Sequence, residues 1–387
     1  MNMASSTLLL NQLNSIKKNI QLNYKSFESD IGVLTGLSGF VLFLEYYQST
    51  CNSKSDTTEE LLNLCIEKIN YGYRKPTHSD GISGFIWTLQ FLQKNYFIEN
   101  ENSELFNIID PYIQECTKVT INYNNFDFMH GSTGYIFYLL GRISKIEEKQ
   151  RQSIESIIEL FIKHLSVRLN EIIDYKYLKK EQAFQYRTYL GLAHGIAGVI
   201  MVLSKIARIP KLKKKSLNLI AEYVSFLFDS MEYSTTQNKV SIFPSWLDQS
   251  SEPKSSALSW CSGDLGIGIA LLNTAENIQD LNLKNKAFDI LIHSSKRTTS
   301  DTAWLKAPLL CHGFFGAYKI FSRAYTITGE KEFKKAKEHW LKIGLDSIQK
   351  EIPDDLTLLN GQAGIGLALI DAYTDTDHSW GESLLIS

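Results

Sequence analysis

Apolar residues gather in seven short runs along the chain, and each run opens on the same unit, Gly-x-x-Gly. The runs are GLSGFVLFLEYY from Gly36, GISGFIWTLQFL from Gly81, GSTGYIFYLLGRI from Gly131, GIAGVIMVLSKIA from Gly195, GDLGIGIALL from Gly263, GFFGAYKIFSRAY from Gly313 and GQAGIGLALIDAY from Gly361. Their first glycines are 45, 50, 64, 68, 50 and 48 residues apart, which leaves room for one further helix in every interval. Those intervals carry a different pattern. Segments such as TTEELLNLCIEKIN and EEKQRQSIESIIELFIKHLSVRL set apolar residues three and four apart among charges, the signature of a helix with one buried face. The runs after the glycines are apolar nearly all round, so they predict inner helices, and the charged segments predict outer ones. A helix near residues 5–22 supplies the seventh outer partner.

Seven equivalent hairpins can stack as an open solenoid or close on themselves. Polar capping repeats are missing at both ends, which favours closure. The predicted fold is therefore all-α, a double-layered α/α toroid of seven helical hairpins whose inner helices follow Gly-x-x-Gly turns, formed by residues 1–387 as a single domain. The two long intervals must loop out their excess. Residues 172–190 (IIDYKYLKKEQAFQYRTYL) and 232–256 (EYSTTQNKVSIFPSWLDQSSEPKSS) are the expected insertions, the second with turn formers around KVSIFPSW that suit a short strand pair or a lip against a substrate.

If each glycine turn opens an inner helix, the residues just before the glycines share one rim. The position before each first glycine reads Thr35, Asp80, His130, His194, Ser262, His312 and Asn360, and Cys261 and Cys311 stand one residue further back. A helix N-terminus carries partial positive charge, which stabilises thiolates and disfavours imidazolium, so these cysteines should ionise readily and these histidines should stay neutral. Both tendencies suit metal binding. Cys261, Cys311 and His312 make a Cys2His set, three ligands with a fourth tetrahedral position left open, as a catalytic zinc requires. The bland alternative is two small residues at a crowded turn beside a capped histidine, and a separation of 50 residues matches no short zinc-finger spacing.

Composition narrows the function classes. With 40 basic and 42 acidic residues the formal charge is -2, and no basic stripe is present to track a phosphate backbone, so nucleic acid is not the expected partner. No apolar stretch reaches membrane-spanning length and the N-terminus lacks a signal-peptide pattern, which predicts a cytoplasmic chain. Five cysteines form an odd set that argues against a disulfide framework; Cys65 and Cys116 read as small buried hydrophobes and Cys51 as incidental.

At WCSG (260–263), LCHG (310–313) and LAHGIAG (192–198) the sequence resembles the lanthionine synthetase C-like cyclases, the LanC family, and the resemblance runs the whole length of the chain. It implies an α/α toroid of seven helix pairs with one zinc held by Cys261, Cys311 and His312. The reaction it implies is zinc-dependent lanthipeptide cyclisation: the thiol of a cysteine adds to a dehydroalanine or dehydrobutyrine of the same peptide, closing a (methyl)lanthionine thioether ring, a step of antibiotic biosynthesis. It further implies that His194 handles the proton and that Asp127, in DFMHG, orients or charge-stabilises that histidine. The implied partners are a dehydrated precursor peptide, a lanthipeptide dehydratase and an export transporter, through which a cytoplasmic chain would be held at a membrane. His130, one repeat before His194, reads as a wall residue, and Trp260 as packing.

One departure stands out. Family cyclases commonly carry an arginine four residues before the Trp-Cys cysteine, and this chain has Ala257. Either another cation such as Lys254 or Arg187 serves, or cyclisation is slow, restricted or absent. Two alternatives share the metal residues: a LanC-like protein that adds glutathione or another external thiol to dehydroamino acids, and a zinc-containing scaffold without catalysis.

Overall fold

A computed structural model describes residues 3–98, 103–178, 187–231, 240–248 and 255–387. Lys254, residues 179–186 of the first expected insertion and most of the second lie outside the described residues. Seven inner helices follow the seven glycine turns: α2 (Leu37–Cys51), α4 (Ile82–Lys94), α6 (Ser132–Arg142), α8 (Ile196–Ile206), α10 (Asp264–Ile278), α13 (Phe314–Thr328) and α15 (Gln362–Thr374). Each starts one residue after the first glycine of its turn. Between them run α1 (Met3–Asn23), α3 (Thr57–Asn70), α5 (Ser103–Asn122), α7 (Glu148–Leu178), α9 (Lys213–Asp229), α11 (Leu281–Ser295) and α14 (Lys331–Lys350), with a four-residue helix, α12 (Ser300–Ala303), before the sixth turn.

The two helix classes differ as the patterns require. Along α8 every residue from Ile196 to Ser204 is buried. In α7 burial falls on Ile154, Ile157, Ile158, Phe161, Ile162, Leu165, Leu169 and Ile172, the three- and four-residue spacing of a one-faced helix. That helix also corrects an expectation, because its last turns run through residues 172–178, so the first insertion starts as helix rather than as loop.

The chain divides into two compact units. The first comprises residues 1–108 and 306–383. Here α15 packs against both α1 and α2, so the N-terminal helix does serve as outer partner to the last inner helix; α2 also packs on α3 and α4, and α13 on α14 and α15. Its core holds a buried ion cluster in which Lys319 Nζ lies 2.7 Å from Asp371 and 2.8 Å from Asp377, while Trp380 Nε1 donates to Asp371 at 2.9 Å. A buried lysine is tolerable because two carboxylates and the carbonyl of His378 replace its water.

The second unit comprises residues 109–305 and 384–387. In it α8 packs between α6 and α10, α10 on α11, and α7 on α6 and α9. A two-stranded antiparallel ribbon joins β1 (Thr188–Tyr189) to β2 (Trp246–Leu247), with Tyr189 opposite Trp246. A strand pair or a substrate lip was expected inside residues 232–256; among the described residues each insertion contributes one strand, and the bridge Pro244–Ser255 lies within the second. Asp264 at the start of α10 fastens this segment down. Its buried carboxylate accepts from the amides of Ile242 at 2.8 Å and Phe243 at 2.9 Å and pairs with the buried Arg297 at 3.0 Å.

Candidate active site

Glycine is needed in these turns because of close approach, since the backbone angles are ordinary. The first glycines have φ between −105° and −149°, open to any residue. What they lack is space. A Cβ on Gly263 would lie 1.8 Å from the carbonyl oxygen of Ala257, and one on Gly266 would lie 2.0 Å from that of Trp260. The chain six residues earlier thus runs directly beneath each glycine, a fold-back that a methyl group would block.

Each turn is then tied to its neighbour through the backbone. In the second unit Phe128 N–H donates to Ala193 O, and Ala193 N–H donates to Cys261 O, both at 3.2 Å. A Cβ on Gly191 would strike that same Cys261 carbonyl at 2.2 Å, so the turns nest closely. In the first unit Cys311 N–H donates to Leu359 O at 3.2 Å and Leu359 N–H to Leu34 O at 2.8 Å.

This lattice sorts the side chains by position. Three residues before the first glycine every side chain is buried: Val33, His78, Phe128, Leu192, Trp260, Leu310 and Leu358. Trp260 is packing as expected, with its indole N–H donating to Leu384 O at 2.8 Å. Two residues before, five of the seven are buried and the two exceptions are Cys261 and Cys311, both partly exposed. One residue before, all seven are at least partly open, and His130, His194 and His312 are exposed. Chemistry-bearing residues thus occupy the positions from which a side chain reaches solvent.

In the second unit the third and fourth turns place a histidine against a carboxylate. His194 Nδ1 lies 2.5 Å from Asp127 Oδ2. The other carboxylate oxygen accepts from the backbone N–H of His130 at 2.7 Å, and Asn125 Oδ1 holds the Asp127 amide at 3.1 Å, so the carboxylate is fixed before it meets the imidazole. The hydrogen bond to Asp127 raises the pKa of His194 above its ordinary value; burial opposes this, and the charges of Asp127 and Cys261 add to it. Neutrality at the helix N-terminus was the expectation. A short contact to a full carboxylate charge outweighs the fractional charge of a helix end.

A cavity of about 250 Å³ opens beside the pair, lined by Asp127, His194, Tyr189, Arg168 and Arg187 among others. Arg187 stacks 4.6 Å over the Trp246 ring, and Tyr189 bridges Trp246 to His194 with ring centroids 6.2 Å from each. The β ribbon therefore brings a cation and two aromatic faces to the histidine. A larger cavity of about 750 Å³ lies between α9 and α11, and neither Asp127 nor any histidine lines it.

Of the proposed zinc ligands, Cys261 belongs to the second unit and Cys311 and His312 to the first. None of the five cysteines is in a disulfide; Cys65 is buried as expected, while Cys116 is partly exposed. Cys261 Sγ has the hydroxyls of Ser259 and Ser262 at 3.7 Å. As a donor set, two partly exposed thiols and an exposed imidazole suit zinc. The sequence reading missed the part taken by His130. Its imidazole lies 3.7 Å from Asp127 and stacks on that of His194, with centroids 6.4 Å apart and planes at 7°. The spacing of Asp127 and His130 within DFMHG was the available signal.

The family model for lanthionine synthetase C-like protein matches residues 11–385, nearly the entire sequence. The chain belongs to the lanthionine synthetase C-like family. Among solved structures it is similar to nisin cyclase, with a TM-score of 0.72 at 18% identity over 97% of each chain. At that identity the likeness speaks for the fold, and it bears out the α/α toroid of helical hairpins predicted from the glycine repeat. No curated protein sequence matches the chain. Among the described residues, no helix of this LanC-like chain is long and apolar enough to cross a membrane.

Proposed function

We propose that this LanC-like chain is a thioether-forming cyclase that adds a cysteine thiol of a dehydrated peptide across the double bond of a dehydroalanine or dehydrobutyrine in the same peptide. The observation that carries the reading is the Asp127–His194 pair, set on an open rim position beside a cavity with room for a side chain. Cys261, Cys311 and His312 are the residues that would hold one zinc ion. Bound there, zinc supplies the Lewis acidity that lets a cysteine thiol lose its proton near neutral pH.

The chain's own residues do the rest. With Nδ1 committed to Asp127, His194 has Nε2 left to take the proton released from the thiol. The sulfur then bonds to the β-carbon as the carbon–carbon π bond breaks, and its electron pair moves into an enolate at the α-carbon and carbonyl. His194 returns the proton to the α-carbon, so one S–H has been added across one double bond. Asp127 favours the protonated imidazole between these transfers. Ala257 offers no charge to the enolate. Arg187 lines the cavity beside His194 and, among the described residues, forms no ion pair, so it is the cation we assign to that role. The expected partner is the dehydrated precursor itself, with a dehydratase before the cyclase and an exporter after it, in the cytoplasm.

Product mass tests the reading. Purified protein and a peptide holding one cysteine and one dehydroalanine should consume the free thiol faster than the uncatalysed control at unchanged mass. Glutathione added to the mass would mean external-thiol addition, and no acceleration would mean a scaffold. Alanine at Cys261, Cys311 or His312 should lower zinc content and abolish turnover; full zinc in all three variants would refute the ligand assignment.

A further inference from the structure

One oxygen of Asp127 and one ring nitrogen each from His130 and His194 lie within 4.8 Å of one another, on two neighbouring turns of the second unit. The cluster has features beyond proximity. Its carboxylate is held by the His130 amide and, through the Asp127 amide, by Asn125, as the acidic ligand of a metal commonly is. Its imidazoles are nearly parallel and both are open to solvent. Donors around a tetrahedral ion sit about 3.3 Å apart, from metal–nitrogen distances near 2.0–2.1 Å. The separations here, from 2.5 Å between Asp127 and His194 up to 4.8 Å, bracket that value, and the exposed side chain of His130 can turn to meet an ion.

We infer that Asp127, His130 and His194 form a metal site separate from the cysteine set, which takes a borderline divalent ion such as zinc and thereby blocks the proton relay. The donor set decides the ion. Two imidazoles and one carboxylate suit zinc, cobalt or nickel, whereas magnesium and calcium need more oxygens than this cluster offers. Arg168 and Arg187 on the same cavity further disfavour an ion held by charge alone. On binding, the ion takes the place of the proton between His194 and Asp127, a water fills the fourth position, and His194 can no longer carry a proton. The block on turnover rests on the role proposed above for His194; the binding does not.

Metal uptake separates the two. The full-length protein is dialysed against rising Zn2+ and its bound metal counted, alongside His130→Gln, His130→Ala and Cys261→Ala. The wild type should bind one ion more than either His130 variant at saturation, and Cys261→Ala should keep that ion. Cobalt in this site should lack the near-ultraviolet sulfur-to-metal band of thiolate ligation. Equal uptake by the wild type and both His130 variants, or a sulfur band from the His130-dependent cobalt, overturns the site. A wild type that binds only the His130-dependent ion supports it while refuting the cysteine zinc. Excess Zn2+ should slow thiol consumption at least tenfold in the wild type and much less in His130→Gln; zinc that binds without slowing overturns the block.

Discussion

Two histidines stand in turns of the same design and have opposite fates. His78 lies three residues before Gly81, a position buried in all seven turns, and is enclosed, with Nε2 donating to Ser383 O at 3.0 Å. Burial drives its pKa down to about 4, so it is a neutral member of the core. His194 lies one residue before Gly195, a position open in all seven, and its hydrogen bond to Asp127 raises its pKa. Residue type does not separate them. The offset from the glycine does, because the fold-back under the turn sends one side chain inward and another out. The central claim is that this offset makes one histidine a proton carrier and the other a packing unit.

The largest expected effect comes from removing the carrier. His194→Asn should retain the zinc of the wild type and slow thiol consumption by about 10²- to 10⁴-fold, the usual worth of a positioned acid–base group. Turnover within a few-fold of the wild type would break the contrast at its functional end. The core histidine should be felt in stability instead. Its unfolded form titrates near 6.5 and its folded form at about 4, so protons bind the unfolded chain first. Stability should be full above pH 6.5 and fall by about 3 kcal/mol as pH drops to 4. In denaturation curves of His78→Gln that decline should be shallower by one proton; identical slopes would contradict the assignment.

Smaller effects sharpen the comparison. Asp127→Asn leaves His194 in place without its counter-charge, and turnover should fall about tenfold, less than for loss of the imidazole itself. A fall equal to that of His194→Asn would mean that the carboxylate does more than support the imidazole. Arg187→Ala should cost about tenfold or less with binding of the peptide little changed, because the cation acts on charge that develops only as the sulfur attacks. An effect on KM alone would move Arg187 from charge stabilisation to substrate docking.

The glycine repeat made most of this fold legible. It recurs with a physical cause, the carbonyl beneath each glycine, and every inner helix starts where the repeat places it. The offset rule could also be read once the turns were aligned, since Cys261, Cys311, His194 and His312 share rim positions. What escaped were contacts between turns distant in sequence. The β ribbon takes one strand from each insertion, and no local pattern in Thr188–Tyr189 announces Trp246–Leu247 as its partner. The direction in which the His194 pKa is pushed was misread for a related reason. A helix end acts on every rim residue alike, whereas Asp127 comes from the preceding turn and makes its short ring contact with this histidine.

The most direct measurement is an NMR titration of the imidazole signals of His78 and His194 in one sample of the full-length protein, repeated with Asp127→Asn. The account predicts that His194 titrates above the ordinary histidine value and moves down in the variant, while His78 stays neutral until pH approaches 4 in both. A His194 that titrates at or below the ordinary value and ignores the loss of Asp127 would contradict it.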